Sequence, residues 1–181
     1  MARSRDGLQR IQLIVKGLRD FARLDESERD EADLNAGVEA TVGIARGLAE
    51  KRHVQLALEL GELPRLECQP SKVNQVIFNL LANAIDACAP GGRVTVQTCA
   101  GADGVEVHVI DSGCGIDPAV RDKVFDPFFT TKPLGKGVGL GLSISHGIVQ
   151  DHGGSIDVQS HPGAGAHFVV RLPCTRDKVT R

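Results

Sequence analysis

The chain has 181 residues, 41% hydrophobic and 24% charged, enough for one domain with a true core plus a small appendage. A formal net charge of −2 excludes a broad nucleic-acid surface, so no nucleic-acid partner is expected. The five cysteines (68, 88, 99, 114 and 174) are odd in number and form no CxxC pair, which predicts neither a disulfide framework nor a zinc site and suits reduced thiols in the cytoplasm. No signal peptide and no apolar run near 18 residues is present, so any membrane anchor is expected outside this chain.

Leu8, Ile11, Val15, Leu18 and Ala22 recur at spacings of 3, 4, 3 and 4, with Arg and Lys on the opposite face. The pattern predicts an amphipathic helix over residues 1–25 with a coiled-coil-like seam. Its apolar stripe needs cover from a second helix or from its own domain. Asp25–Asp33 is charge-dense and acidic, and predicts a linker over 26–34. Asp33 or Asn35 is then placed to cap a helix over about 36–51. Val54, Leu56, Leu58 and Leu60 alternate with Gln55, Ala57 and Glu59 as in a half-buried strand, and Leu66–Gln69 reads as a short second one.

Gln69-Pro70 opens a strongly apolar helix that runs to about Ala89. Gln75, Asn79, Asn83 and Asp86 stand on it at spacings of 4, 4 and 3, in one stripe. Amides and a carboxylate on a buried helix need polar partners, and magnesium and phosphate oxygens would supply them. A solvent-facing stripe is the competing reading. Strands over Arg93–Cys99 and Val105–Ile110 form a hairpin around Gly101–Gly104. The second runs into Asp111-Ser112-Gly113-Cys114-Gly115-Ile116. A carboxylate followed by Gly-x-Gly suits a flat ligand with a donor amine such as adenine, but the same composition also makes a plain turn.

Asp117-Pro118 begins a short helix to about Val124, followed by FDPFFTTK. Glycines 135, 137, 139 and 141 then alternate in GKGVGLGL, ahead of a helix from about Val138 to His152. Such a loop brings several backbone N–H groups to a polyphosphate, aided by the positive pole of the following helix. The alternative is a flexible surface loop. Neither GxxxxGK[ST] nor GxGxxG is satisfied, which excludes the two commonest phosphate loops. Strands over Ser155–Gln159 and Ala166–Leu172 and a polar tail over 175–181 complete the chain. Irregular alternation of helices and hairpins without internal repeat predicts an α+β two-layer sandwich, a mixed sheet covered by helices on one face, spanning 35–174.

Four stretches in this order, NLLANAIDA (79–87), DSGCGI (111–116), FDPFFTTK (125–132) and GKGVGLGLSIS (135–145), resemble the asparagine, first glycine, phenylalanine and second glycine boxes of sensor histidine kinases. The ending HGGSIDVQSHPGAGAHFVVRLP resembles the last two strands of that ATP-binding domain, which is of the Bergerat type shared with DNA gyrase. The resemblance covers residues 8–173. It implies that Asn79 and Asn83 hold magnesium and the phosphates of ATP or ADP. Asp111 would bind the adenine amine, with Gly113, Gly115 and Ile116 beside the base. Thr131, Lys132, Lys136, Gly137, Val138, Gly139, Leu140, Gly141 and Leu142 would form the lid and the β/γ-phosphate cradle, with Lys132 joining the two asparagines in catalysis. Val138 replaces a frequent hydroxyl residue. Phe125, Phe128 and Phe129 would pack the lid base.

By the same resemblance, residues 1–25 match the second helix of the dimerisation and phosphoacceptor hairpin. None of the histidines (53, 108, 146, 152, 161 and 167) lies on that helix. The chain therefore reads as a piece beginning midway through the hairpin and unable to autophosphorylate alone. The implied partners are the phosphoacceptor histidine helix, a second copy in the intact homodimer, and a response regulator receiver domain. Gyrase-like ATPases carry a water-activating Glu near position 79, where Asn is a poor base. A serine-type protein kinase of the same fold, as in anti-sigma factors, or a non-catalytic nucleotide-sensing module are the alternatives.

Overall fold

A computed structural model describes residues 29–132 and 137–174. The seam helix expected over 1–25, Lys136 and the tail over 175–181 lie outside the described residues.

Asp30–Ala32 (β1) pairs antiparallel with Leu66–Cys68 (β3), Asp30 opposite Cys68. The acidic stretch expected as a linker therefore ends in a strand. Ala32 packs against a core that contains Leu66 and Cys68, and that burial outweighs the charge density around it. Leu34–Arg52 (α1) begins at Asp33, whose side chain accepts from the Ala36 N–H at 3.2 Å. Asn35, the other cap candidate, donates to the Gly61 carbonyl and accepts from the Thr98 hydroxyl, both at 2.8 Å, tying the helix start to the sheet.

Five strands form one mixed sheet. They are Gln55–Leu60 (β2), Arg93–Ala100 (β4), Gly104–Asp111 (β5), Ser155–Ser160 (β6) and Ala166–Pro173 (β7), in the order β2-β4-β5-β7-β6. β2 runs parallel to β4, and every other pair is antiparallel. Three helices lie on one face: α1, Pro70–Ala87 (α2), and Gly141–Asp151 (α4). A short turn of helix, Pro118–Arg121 (α3), stands apart. α2 is central, touching α1 on one side, α4 on the other and β4 and β5 beneath.

The core sits between α2 and the sheet. Ile77, Leu80, Leu81 and Ile85 meet Val94, Val96, Val107 and Val109, all at most 1% exposed. Each fully buried aliphatic side chain contributes about 1.5–3 kcal/mol. At the α2 start, His152 Nε2 accepts from the Gln69 N–H at 3.0 Å, so its Nδ1 carries the proton and donates to the Ile148 carbonyl at 2.7 Å. This histidine at the end of α4 thus locks that helix to the beginning of α2. The opposite face of the sheet carries no helix among the described residues. It presents Gln97, Glu106, His108, His167 and Arg171, half-buried or exposed.

Candidate functional site

Strand alternation delivers the first functional group. On β5, Val105, Val107, Val109 and Asp111 all point to the helix-covered side, so the register that buries three valines also buries a carboxylate. Asp111 is 6% exposed. Its Oδ1 accepts from the backbone N–H groups of Gly113 at 2.8 Å and Ala166 at 3.2 Å. Burial raises its pKa, and the two N–H bonds pull the other way. Among the described residues, Oδ2 has no protein partner.

The two glycines that follow answer to the protein's own backbone. A Cβ on Gly113 would lie 2.7 Å from both the Ala87 carbonyl oxygen and Asp111 Oδ1. Gly115 has a φ of +72°, and a Cβ there would strike the His161 carbonyl. The Ile116 N–H donates to the Ser160 hydroxyl at 2.9 Å, fixing the loop against β6.

A cavity of about 680 Å³ opens between α2, residues 114–120, and residues 129–132 and 137–142. That is ample for a small-molecule ligand. Asp111, Gly115 and Ile116 line it, with Asn83, Asp86, Thr131, Lys132, Gly137, Val138, Gly139, Leu140, Gly141 and Leu142. α4 begins on this wall, so its positive pole faces the space. Among the described residues the Asn83 side chain finds no hydrogen-bond partner. Asp86 is held twice, by Arg52 Nη2 and by Lys132 Nζ, each at 2.7 Å.

Most residues singled out in the sequence therefore meet at one cavity. Among the polar-stripe residues and the described glycines of the two glycine boxes, three stand back from its wall. Asn79 donates to the Gly141 carbonyl at 3.2 Å and to the Ser145 hydroxyl at 3.3 Å, which ties α2 to α4 one turn behind Asn83. Gly113 is enclosed behind Asp111. Gln75, the first member of the polar stripe, is half-buried and also off the wall. The phenylalanines part company. Phe125 packs on the core and against the His146 ring, and Phe129 lines the cavity. Phe128 corrects the expectation of a packed side chain: it is 60% exposed and adopts a φ of +66°, its N–H held by the Gly139 carbonyl at 2.9 Å. Sequence reasoning missed Val120, Val124, Ala166 and Phe168 on the apolar wall. Strand alternation could have signalled Ala166 and Phe168, which share one face of their strand.

A buried acceptor, an apolar slot and a helix N-terminus around one cavity, on a mixed sheet covered on one side, define a nucleotide-binding α/β sandwich. Comparison with known proteins is specific. Residues 68–176 match the model of the histidine kinase-, DNA gyrase B-, and HSP90-like ATPases. The chain is 37% identical over 165 residues, 90% of its length, to the signal transduction histidine-protein kinase AtoS of Escherichia coli (strain K12). It superimposes on the catalytic domain of histidine kinase ThkA with a TM-score of 0.73 at 32% identity, covering 81% of this chain and 96% of that one. ThkA in complex with the response regulator TrrA gives 0.78 at 30% identity, over 95% and 49% of the two chains. ShkA in complex with AMPPNP gives 0.82 at 26% identity, over 95% and 37%. This chain belongs to the histidine kinase-, DNA gyrase B-, and HSP90-like ATPase family, as an ATP-binding catalytic domain of the sensor histidine kinase type. It spans 27% of the length of AtoS. No helix among the described residues is long and apolar enough to cross a membrane.

Proposed function

We propose that this domain holds ATP with magnesium and presents the γ-phosphate to a histidine on an adjoining helix, for relay to a response regulator receiver domain. The observation that carries the reading is Asp111. One carboxylate oxygen is fixed by two backbone N–H groups, and the other is left for a ligand donor inside an apolar cavity. The adenine amine is that donor. Ile116, Val120 and Phe168 supply the apolar walls for the base.

Asn83 stands where the phosphates follow, beside the start of α4. Its unpartnered carboxamide fits a hard cation that prefers oxygen ligands, so its carbonyl oxygen would hold magnesium. When bound, the ion neutralises charge on the triphosphate. Asn79 positions the first residue of α4 against α2 and lacks the basicity to activate water. The site therefore favours transfer over hydrolysis. Lys132 exchanges Asp86 for phosphate oxygens. Thr131 and Gly137–Leu142 cradle the chain of phosphates, with Lys136 added from the neighbouring segment. Transfer then rests on positioning and charge stabilisation. The kinase works as a homodimer whose partner helix carries the accepting histidine. The structure of ThkA with TrrA supports the receiver domain as the next acceptor.

Calorimetry with ADP and with ATP, with and without magnesium, tests the site. Incubation of the 181-residue chain with ATP is expected to leave no acid-labile phosphate on it, whereas an added phosphoacceptor hairpin becomes labelled. Acid-stable phosphoserine on a substrate would instead select the serine-kinase reading. Binding without transfer to any hairpin would select the sensing module.

A further inference from the structure

The helix-free face of the sheet carries a second cluster of chemistry-bearing side chains, remote from the nucleotide cavity. Cys99 on β4 stands directly opposite Glu106 on β5. His108 is two residues further along the same face of β5, and His167 lies diagonally across on β7. Cys99 Sγ is 3.4 Å from His108 Nε2, and Glu106 Oε2 is 3.2 Å from that same nitrogen. The sulfur, the nitrogen and the carboxylate oxygen all lie within 4.8 Å of one another.

We propose that Cys99, Glu106 and His108 form a binding site for a borderline divalent transition-metal ion of the zinc class. Thiolate, imidazole and carboxylate are the donor set such ions take. Metal–ligand bonds of about 2.0–2.3 Å in tetrahedral geometry put neighbouring ligand atoms roughly 3.3–3.6 Å apart. The two distances to His108 Nε2, 3.4 Å to sulfur and 3.2 Å to oxygen, lie within or just below that range. A water or an external ligand takes the fourth position, on the open side where Cys99 is exposed.

The surroundings prepare these groups. His108 Nδ1 lies 3.0 Å from His167 Nε2. With Nε2 given to the metal, Nδ1 carries the proton and donates it to His167. That contact fixes ring orientation and tautomer, as carboxylates and carbonyls do behind other metal-bound histidines. His167 is thus a positioning residue. Arg171 donates from Nε to Glu106 Oε1 at 2.9 Å, which orients the carboxylate and leaves Oε2 for the ion. Asp157 also pairs with Arg171 and offsets its charge beside the site. Hydrogen bonds hold the sheet in register, so three strands deliver four residues without any CxxC signature. The ion would pin β4 to β5, with β7 behind it. β5 and β7 carry Asp111, Ala166 and Phe168 to the cavity on the reverse face.

The test is zinc titration of the full, untagged, reduced chain against a chromophoric chelator, with Co²⁺ as the spectroscopic probe. One equivalent of Zn²⁺ is expected to bind at or below micromolar concentration. Co²⁺ should give the intense visible bands of a tetrahedral site together with a thiolate-to-cobalt charge-transfer band. Cys99→Ser and His108→Gln should each weaken Zn²⁺ by 100-fold or more, and Cys99→Ser should remove the charge-transfer band. Glu106→Gln should weaken Zn²⁺ by roughly 10-fold or more. His167→Gln should lower affinity about 10–100-fold while the charge-transfer band persists. Cys174→Ser should leave Zn²⁺ affinity and the Co²⁺ spectrum unchanged. Zn²⁺ should raise the melting temperature of the parent chain and not of Cys99→Ser. ADP binding by each variant verifies that it is folded. Absence of Zn²⁺ binding at micromolar levels, an octahedral Co²⁺ spectrum, or a thiolate band that survives Cys99→Ser would overturn the proposal. The parent chain's own spectrum decides the matter even for a variant that fails to fold.

Discussion

The two regions of the proposed nucleotide cavity are built by different means. Around Asp111 the structure is backbone: two main-chain N–H groups hold the carboxylate, and Gly113 and Gly115 fit where a Cβ would meet main-chain carbonyls. Around Asn83 and Lys132 it is side chains. Lys132 is engaged with Asp86, which also holds Arg52, while Asn83 is unpartnered among the described residues. A backbone-built corner is in place before the ligand arrives and supplies specificity at little ordering cost. A side-chain rim has to exchange partners, which suits the end proposed to take the phosphates.

Breaking the Asp111 corner should have the largest effect. Asp111→Asn keeps an oxygen for both backbone donors but puts an NH₂ against the adenine amine. ADP affinity by calorimetry should fall at least 100-fold, about 3 kcal/mol, as expected when a buried charged acceptor is lost. The ligand-free variant should nonetheless melt at a higher temperature at neutral pH. Burial raises the Asp111 pKa above its unfolded value. The contribution of this group to stability is therefore fully present below the unfolded pKa and lost as pH rises through the folded one. Asparagine has no charge to bury. By the same sign, ADP binding by the parent protein should weaken on acidification through the raised Asp111 value, before ordinary carboxylates titrate. A pH series that shows no such loss would separate Asp111 from the base.

At the rim, Asn83→Ala should reduce magnesium–ATP affinity about 10–100-fold, in the range of a lost charge-assisted contact. Metal-free ADP should be affected far less. Equal losses with and without magnesium would move the ion away from Asn83. The smallest effect is expected from Asp86→Asn. It releases Lys132 from an ion pair in a half-exposed setting, where such pairs contribute about 1 kcal/mol or less. ATP affinity should rise by under about 10-fold. A fall would mean that Asp86 positions Lys132 for the phosphates and does not compete with them.

The contrast between corner and rim also governs what could be read from the chain. The helices and sheet strands were legible because their apolar periodicity is long: α2 repeats at helical spacing over 18 residues, and β5 alternates over eight. The Asp33 cap was one of two candidates that local chemistry allowed. The strand at Asp30–Ala32 was not legible, because three residues carry no periodicity and its partner is more than 30 residues away. Phe128 shows a different limit. Its exposure follows from a left-handed backbone conformation imposed by its pairing with Gly139, which hydrophobicity does not encode.

The amino-acid order alone determined the α+β class, the central apolar helix with its polar stripe, and the chemical identity of the groups proposed to meet nucleotide. These are local properties: side-chain chemistry and its spacing along a helix or strand. Tertiary structure decided which members of the stripe reach the cavity, because helix–helix packing sends Asn79 to Gly141 and Ser145 while Asn83 stays on the wall. It also decided that Asp86 pairs with Arg52 and Lys132, and that Cys99, Glu106 and His108 converge on the far face. Helix packing sets the first two encounters and strand pairing sets the third; the local pattern fixes the face a residue takes, but only the packing of whole elements decides what that face meets.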